Sequence, residues 1–201
     1  MIGVVDYGAG NLGSVMNALE RLDLPARFAA GPEELGADSP FERVIFPGDG
    51  HFATAMAKLE KAGWVEPLRE WVGADRPFLG ICIGLQLLFA SSEEAPGVAG
   101  LGLFGGEVKR FPLRKVPQIG WNSTLAREGS RLFAGISQGS FFYYIHSYYC
   151  QAAVAEEAAA RAEYGLEYTS AVERGRVCAV QFHPEKSGET GLALISNWAR
   201  M

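Results

Sequence analysis

Four times within residues 2–89 the chain repeats one pattern, a short apolar run, a turn and then residues spaced as on one face of a helix. Ile2-Gly3-Val4-Val5-Asp6 leads through Tyr7-Gly8-Ala9-Gly10-Asn11-Leu12-Gly13 into a helical pattern from Ser14 to Leu22. Ala26–Ala30 runs into Gly31-Pro32, with Glu33 and Glu34 suited to the first turn of a short helix. Arg43–Phe46 ends at Pro47-Gly48-Asp49-Gly50 and is followed by two helical patterns around Gly63. Pro77–Ile81 leads into Cys82 and a helix-like run from Ile83 to Phe89. Continuous apolar runs bounded by turns suit parallel strands covered on both faces. Their alternation with helices calls for an α/β fold with a doubly wound parallel sheet, whose ligands sit at the carboxyl ends of the strands.

The fourth repeat carries the sharpest chemical signal. Gly80 and Gly84 flank Cys82 two residues to either side, the glycine frame of a nucleophile elbow with cysteine in place of serine. Small residues let a tight strand-to-helix turn close around a strained nucleophile. The helix N-terminus favours a thiolate, and the next N–H, that of Ile83, is available to an oxyanion. A buried cysteine in an apolar strand is also ordinary core, so the elbow alone leaves both readings open. The loop Gly48-Asp49-Gly50 would share the same sheet edge, and its glycines allow N–H groups to turn toward a ligand.

Gly8-x-Gly10-x-x-Gly13 after a strand spells a dinucleotide fingerprint. That reading wants an acidic residue ending the second strand. Here the acids follow Pro32, so a nucleotide-binding module ranks behind an enzyme with a cysteine nucleophile.

Composition bounds the rest. The 201 residues are 48% hydrophobic and 20% charged with net charge −5, the balance of one globular domain over 1–201 and no footprint for nucleic acid. Cys82, Cys150 and Cys178 form no CxxC pair and point to reduced thiols. The N-terminus lacks the basic region and apolar core of a secretion signal, and the apolar stretch from Phe78 to Ala90 is too short to span a bilayer. A cytoplasmic protein without membrane contact is expected.

The second half changes texture. Gly100–Phe111 is glycine-rich and β-like, and an aromatic strand covers Phe141–Cys150. Residues 152–163, rich in alanine and glutamate, favour helix by propensity. Tyr168–Phe182 reads as two strands around a turn near Arg174-Gly175, and a helix from about Glu189 to Arg200 closes the chain. Of three histidines, His51 follows the glycine loop and His146 lies in the aromatic strand. His183 ends the last strand before Pro184, with Glu185 two residues on. If that strand joins the same sheet, His183 shares an edge with Cys82, and Glu185 can fix its tautomer. A metal reading of His183 and Glu185 lacks a third ligand nearby, and nothing calls for a cofactor. A Cys82–His183–Glu185 triad fits best.

GICIGLQLLF together with QFHPEKS resembles the triad-type (class I) glutamine amidotransferases, over nearly the whole chain. DYGAGNLGS, PGDGHF, PQIGWN and YYIHSYY resemble, within that superfamily, the glutaminase subunits of imidazole glycerol phosphate synthases. The resemblance implies a flavodoxin-like, mostly parallel central sheet flanked by helices, with an added β-rich portion in the second half. It makes the glycines at 8–13 a partner-facing turn and the alanine-rich segment near residue 160 a strand. It implies Cys82 as nucleophile, His183 as acid and base, and Glu185 as orienter. It also implies an oxyanion site at Ile83 and Gly48-Asp49-Gly50, and glutamine held by Gln86 and the backbone of His146-Ser147-Tyr148. A (β/α)8-barrel cyclase is the implied partner, with Asn11, Trp121, Asn122, Tyr143 and Lys186 near the interface. At Asp49 the family more often carries an uncharged residue, and an acid there would oppose an oxyanion unless it points elsewhere. A glutaminase for another synthase, such as an anthranilate or pyridoxal phosphate complex, or a cysteine peptidase or esterase of related fold, are the competing readings.

Overall fold

The periodic first half builds the sheet its pattern requires. In the computed structural model, which describes residues 1–201, β1 (Ile2–Val5), β2 (Ala26–Ala29), β3 (Arg43–Gly48) and β4 (Phe78–Cys82) are parallel neighbours in the order β2-β1-β3-β4. Helix α1 (Leu12–Arg21) joins β1 to β2, and α2 (Phe52–Lys61) with α3 (Val65–Gly73) joins β3 to β4. A single 3-10 turn, Pro32–Leu35, stands between β2 and β3, where Glu33 and Glu34 predicted a short helical turn. Because β2 lies on one side of β1 and β3 and β4 follow on the other, the strand order reverses at β1, and a crevice opens there at the carboxyl ends.

Neighbouring residues of each strand point to opposite faces, so the parallel strands feed two separate cores. Val5, Val44, Phe46 and Phe78 pack with Met56, Leu59, Leu68 and Trp71 from α2 and α3. Val4, Ile45, Leu79 and Ile81 pack on the other face with Val15 and Leu19 of α1 and Leu194, Ile195 and Trp198 of α5 (Gly188–Ala199). Each such fully buried apolar side chain contributes about 1.5–3 kcal/mol. These helices therefore hold β4 and its terminal cysteine from both sides.

The β-rich second half extends the same sheet. Strand β11 (Val177–Val180) lies parallel beside β4, and β10 (Glu167–Arg174), β9 (Ala158–Glu163), β6 (Gln118–Ala126) and β7 (Ser140–His146) continue the order antiparallel. Strands β5 (Gly106–Arg110) and β8 (Tyr148–Ala152) form a side arm on β10. The antiparallel half curls back on the parallel one. His183 N–H donates to the Tyr143 carbonyl at 2.9 Å, and Tyr143 N–H donates to Ser187 Oγ at 3.0 Å. Strand β7, last in the order, thereby meets the carboxyl end of β11.

Three local readings of the sequence are revised. Residues 155–157 form one 3-10 turn and Ala158–Glu163 a strand, because four small side chains at Ala158, Ala159, Ala160 and Ala162 bury cleanly between β10 and β6. Packing overrides helix propensity here. The helix after Cys82, α4, spans only Ile83–Gln86. The carbonyls of Leu87 and Leu88 accept from Leu101, at 2.7 Å, and from Leu103 and Phe104, at 2.8 and 3.0 Å, which draws the chain off the helix axis. The aromatic run breaks at Ser147 into β7 and β8.

Around the elbow the backbones approach too closely for side chains. A Cβ on Gly84 would collide with the Phe46 carbonyl oxygen, and one on Gly80 would come within 2.9 Å of both Ala179 Cβ and the Gly84 carbonyl oxygen. Gly84→Ala is therefore expected to cost about 1–3 kcal/mol of stability through overpacking. Urea unfolding of wild type and variant checks this, and an unchanged midpoint would refute the close approach.

Candidate active site

Cys82 is the last residue of β4 and the cap of α4, with φ 57° and ψ −109°. That region is costly for a residue bearing a Cβ, and strain of about 1–3 kcal/mol persists only where the surroundings over-determine the turn. The two glycine approaches and the cores on both faces do so. Ile83 opens α4, so its N–H is among those a helix leaves without an internal acceptor.

A cavity of about 320 Å³ opens at the carboxyl ends of the parallel strands. Cys82, Ile83 and Gln86 enter it from the elbow, Asp49 and Gly50 from the loop after β3, and Asn11 from the turn after β1. His183 and Lys186 enter it after β11, and Ile145, His146, Ser147 and Tyr148 close it from the end of β7. Eleven of the residues singled out in the sequence thus converge on, or rim, one space. Gly48 does not line it. A Cβ there would clash with Ile83, so Gly48 serves the fit between loop and elbow.

Behind the cavity, His183 Nδ1 lies 2.8 Å from Glu185 Oε1. The Glu185 side chain is 1% exposed, so the carboxylate meets the imidazole away from water. Nε2 faces the cavity side without a hydrogen bond of ordinary geometry. Catalytic contacts are often loose before substrate binds. Burial pushes the His183 imidazole down, but Cys82 and Glu185, through hydrogen bonding and charge, outweigh it and lift the group to about 10.

The rest of the polar lining is interlocked. Gln86 Nε2 donates to the Tyr148 carbonyl at 3.1 Å and to Gln181 Oε1 at 3.0 Å. Both amide hydrogens are thereby taken, and Gln86 Oε1 remains as an acceptor. Asp49 Oδ1 accepts from Gly10 N–H at 2.9 Å, so the acid is turned to the glycine turn after β1. Lys58 Nζ donates to the Gly8 carbonyl of the same turn, from α2. The Gly8–Gly10 backbone, at φ 79° and 104°, is thus a fixed part of the cavity's frame.

Three predicted interface residues sit elsewhere. Trp121 and Tyr143 pair across β6 and β7 with ring centroids 6.2 Å apart on the outer face. Asn122 alternates away from Trp121, and its Nδ2 donates to the Glu163 carbonyl at 2.9 Å. Two residues escape sequence reasoning. Glu94 lines the cavity and its Oε2 accepts the Phe52 N–H at the start of α2 at 2.7 Å. Gln181, fully buried, places Nε2 3.8 Å from Cys82 Sγ. Glu94 lies in a loop with no spacing signal, whereas Gln181, two residues before His183, is a polar residue in an apolar strand.

Residues 3–200 match the family model described as "Glutamine amidotransferase class-I". The chain is 45% identical to the imidazole glycerol phosphate synthase subunit HisH of Desulfitobacterium hafniense, covering 100% of this chain and 94% of that protein. It is 43% identical to the subunit of that name from Methanothermobacter thermautotrophicus, covering 100% and 98%. Among solved structures it is similar to one described as a glutamine amidotransferase (TM-score 0.76, 21% identity, 98% of each chain). The structure of PurLQS from Thermotoga maritima is similar in fold as well (TM-score 0.76, 17% identity, 99% and 97% covered).

Because the folded-state value of His183 lies above its ordinary 6.5, proton binding favours the folded chain. That contribution is complete below pH 6.5 and is lost as pH rises through about 10. Glu185→Gln removes one of the groups that raise it, so the imidazole midpoint should fall. Ring NMR titration reads this, and an identical midpoint in the variant would contradict the assigned cause.

Proposed function

We propose, on the premise that the chain belongs to the class-I glutamine amidotransferase family, that it is the glutaminase subunit of an imidazole glycerol phosphate synthase in histidine biosynthesis. The observation that carries the reading is the convergence of Cys82, His183 backed by Glu185, and Gln86 on a single cavity. Its likeness along the whole chain to HisH subunits supports the choice of synthase.

Cys82, as thiolate, attacks the side-chain amide carbon of glutamine, and the carbonyl electrons move onto oxygen. The Ile83 N–H and the loop at Gly48-Asp49-Gly50 receive that oxyanion. The Gly10 N–H holds Asp49 Oδ1, which draws that oxygen toward the glycine turn after β1. His183 gives its proton to the amide nitrogen, the C–N bond breaks, and ammonia leaves a γ-glutamyl thioester. Water then attacks the thioester while His183 takes its proton. Collapse releases glutamate and restores the thiolate. Gln86 Oε1 and the Ser147-Tyr148 backbone hold the substrate, and Glu94 offers a negative charge to its α-ammonium group.

Ammonia must travel unprotonated, because ammonium has no lone pair, and it therefore needs a sheltered exit into a synthase partner. A (β/α)8-barrel cyclase fits the outer face of β6 and β7. Ile119 is 61% exposed, Trp121 57% and Phe141 57%, an apolar group of the kind that marks a protein contact. Ile145 belongs both to this face and to the cavity lining, so a partner seated there would cover the cavity mouth, with Asn11 and Lys186 at its rim. The reduced cysteines suit a cytoplasmic heterodimer, and no helix is long and apolar enough to cross a membrane.

Glutamate release from glutamine should be slow for the chain alone and rise strongly with the cyclase and its ribonucleotide ligand. Cys82→Ala should lower it by at least about 10³-fold in the complex. Glutamate formed equally fast by the free chain would remove the coupling, and an active Cys82→Ala variant would remove the nucleophile. Trp121→Ala should weaken cyclase binding by about 30-fold or more, as a central aromatic anchor does. Isothermal titration with the purified cyclase measures this, and wild-type affinity in the variant would move the interface elsewhere.

A further inference from the structure

Behind the Ser147–Tyr148 wall lies a polar cluster that the reaction does not use directly. His146 is 5% exposed, Gln118 4% and Tyr168 2%. The imidazole is enclosed by Phe111, Tyr144 and Tyr168, with ring centroids 5.2, 5.6 and 5.4 Å away. Nδ1 lies 2.7 Å from the Tyr148 carbonyl oxygen. Nε2 lies 3.0 Å from Gln118 Oε1 and 3.3 Å from the Tyr168 hydroxyl, which itself lies 3.0 Å from Gln118 Oε1. Both nitrogens are therefore engaged by the protein, and neither is available to a ligand in the cavity.

Burial, helped by the positive charge of His183 and opposed by the Tyr148 carbonyl, pushes the ring down to about 4. A neutral imidazole has one N–H to place. On Nε2 it would leave a lone pair on Nδ1 facing the Tyr148 carbonyl oxygen at 2.7 Å, a repulsive contact. The proton therefore sits on Nδ1 and Nε2 accepts. Its donor is the Gln118 amide, turned so that nitrogen faces the ring, and the second N–H of that amide then meets the Tyr168 hydroxyl oxygen.

The Tyr148 carbonyl also receives Gln86 Nε2, which reaches Gln181, whose amide nitrogen lies next to the Cys82 sulfur. A buried polar chain thus runs from the nucleophile to Gln118 at the start of β6. The residue after Gln118, Ile119, and then Trp121, lie on the outer apolar face of the same strand. We infer that His146 is a positioning residue of the glutamine pocket: as the neutral Nδ1–H tautomer it pins the Tyr148 carbonyl against Gln86, and Gln118 and Tyr168 lock the ring in that state. The inference rests on glutamine as the substrate and deepens that reading.

Removing the Nδ1 donor leaves the carbonyl short of one buried partner, a loss of about tenfold in binding. In the complex with the cyclase and its ribonucleotide ligand, His146→Leu should raise the KM for glutamine about tenfold with kcat within about threefold of wild type. His146→Asn, whose amide nitrogen stands near the place of Nδ1, should recover most of the affinity. Ring ¹⁵N NMR of the wild-type chain should show His146 as the Nδ1–H tautomer, without titration between about pH 5.5 and 8. An Nε2–H tautomer, a midpoint near the ordinary histidine value, a wild-type KM in His146→Leu, or equal damage in both variants would each overturn the inference. Failure of the wild-type complex to hydrolyse glutamine would instead overturn the reading of function, and the NMR would still decide the tautomer without turnover.

Discussion

A cysteine at φ 57° has no local reason to stay there, and its neighbours supply the reason. Strand β4 is buried along its length, and the one-turn helix after Cys82 presses Gly84 onto the Phe46 carbonyl of β3. Helices pack on both faces of the sheet and leave the strand no room to relax. The strained turn is thus held by the same packing that stabilises the parallel half, and it raises the sulfur above the sheet edge where His183 emerges from the neighbouring strand. Loss of packing at this edge would cost stability and the geometry of Cys82 together.

The antiparallel half answers a different requirement. A parallel sheet edge offers an open crevice, whereas a small polar substrate needs walls with fixed carbonyls and amides. Curling β7 onto the end of β11 supplies such a wall, because the Tyr143 carbonyl accepts the N–H of His183 itself. One strand therefore bounds the cavity at His146, borders His183 at Tyr143 and displays apolar side chains outward at Phe141 and Ile145. The cavity wall and the exposed apolar patch are two faces of one strand pair.

Much of this was legible because the signals are local. The elbow glycines, His183 with Glu185 two residues away, and the strand-helix alternation each reveal themselves within a few residues. What stayed hidden is what only tertiary closure brings together. Glu94 reaches the cavity from a loop without pattern, and Gln181 matters because it meets Gln86 and Cys82 across two strands. The strand at Ala158–Glu163 runs against local propensity, since its small alanine side chains bury on a strand hydrogen-bonded to β10 on one side and β6 on the other. The place of Asp49 depends on a hydrogen bond to a turn 39 residues earlier, beyond the reach of spacing arguments.

The outer face of β6 and β7 has a bearing on supply inside the cell. Ile119, Trp121, Leu125 and Phe141 stand in water on paired strands whenever the chain is alone. Such a surface invites self-association and capture by chaperones. If the proposed partner covers this face, a cell that made the chain in excess would carry a sticky orphan, and selection should favour matched production of the two subunits, in amount and in time.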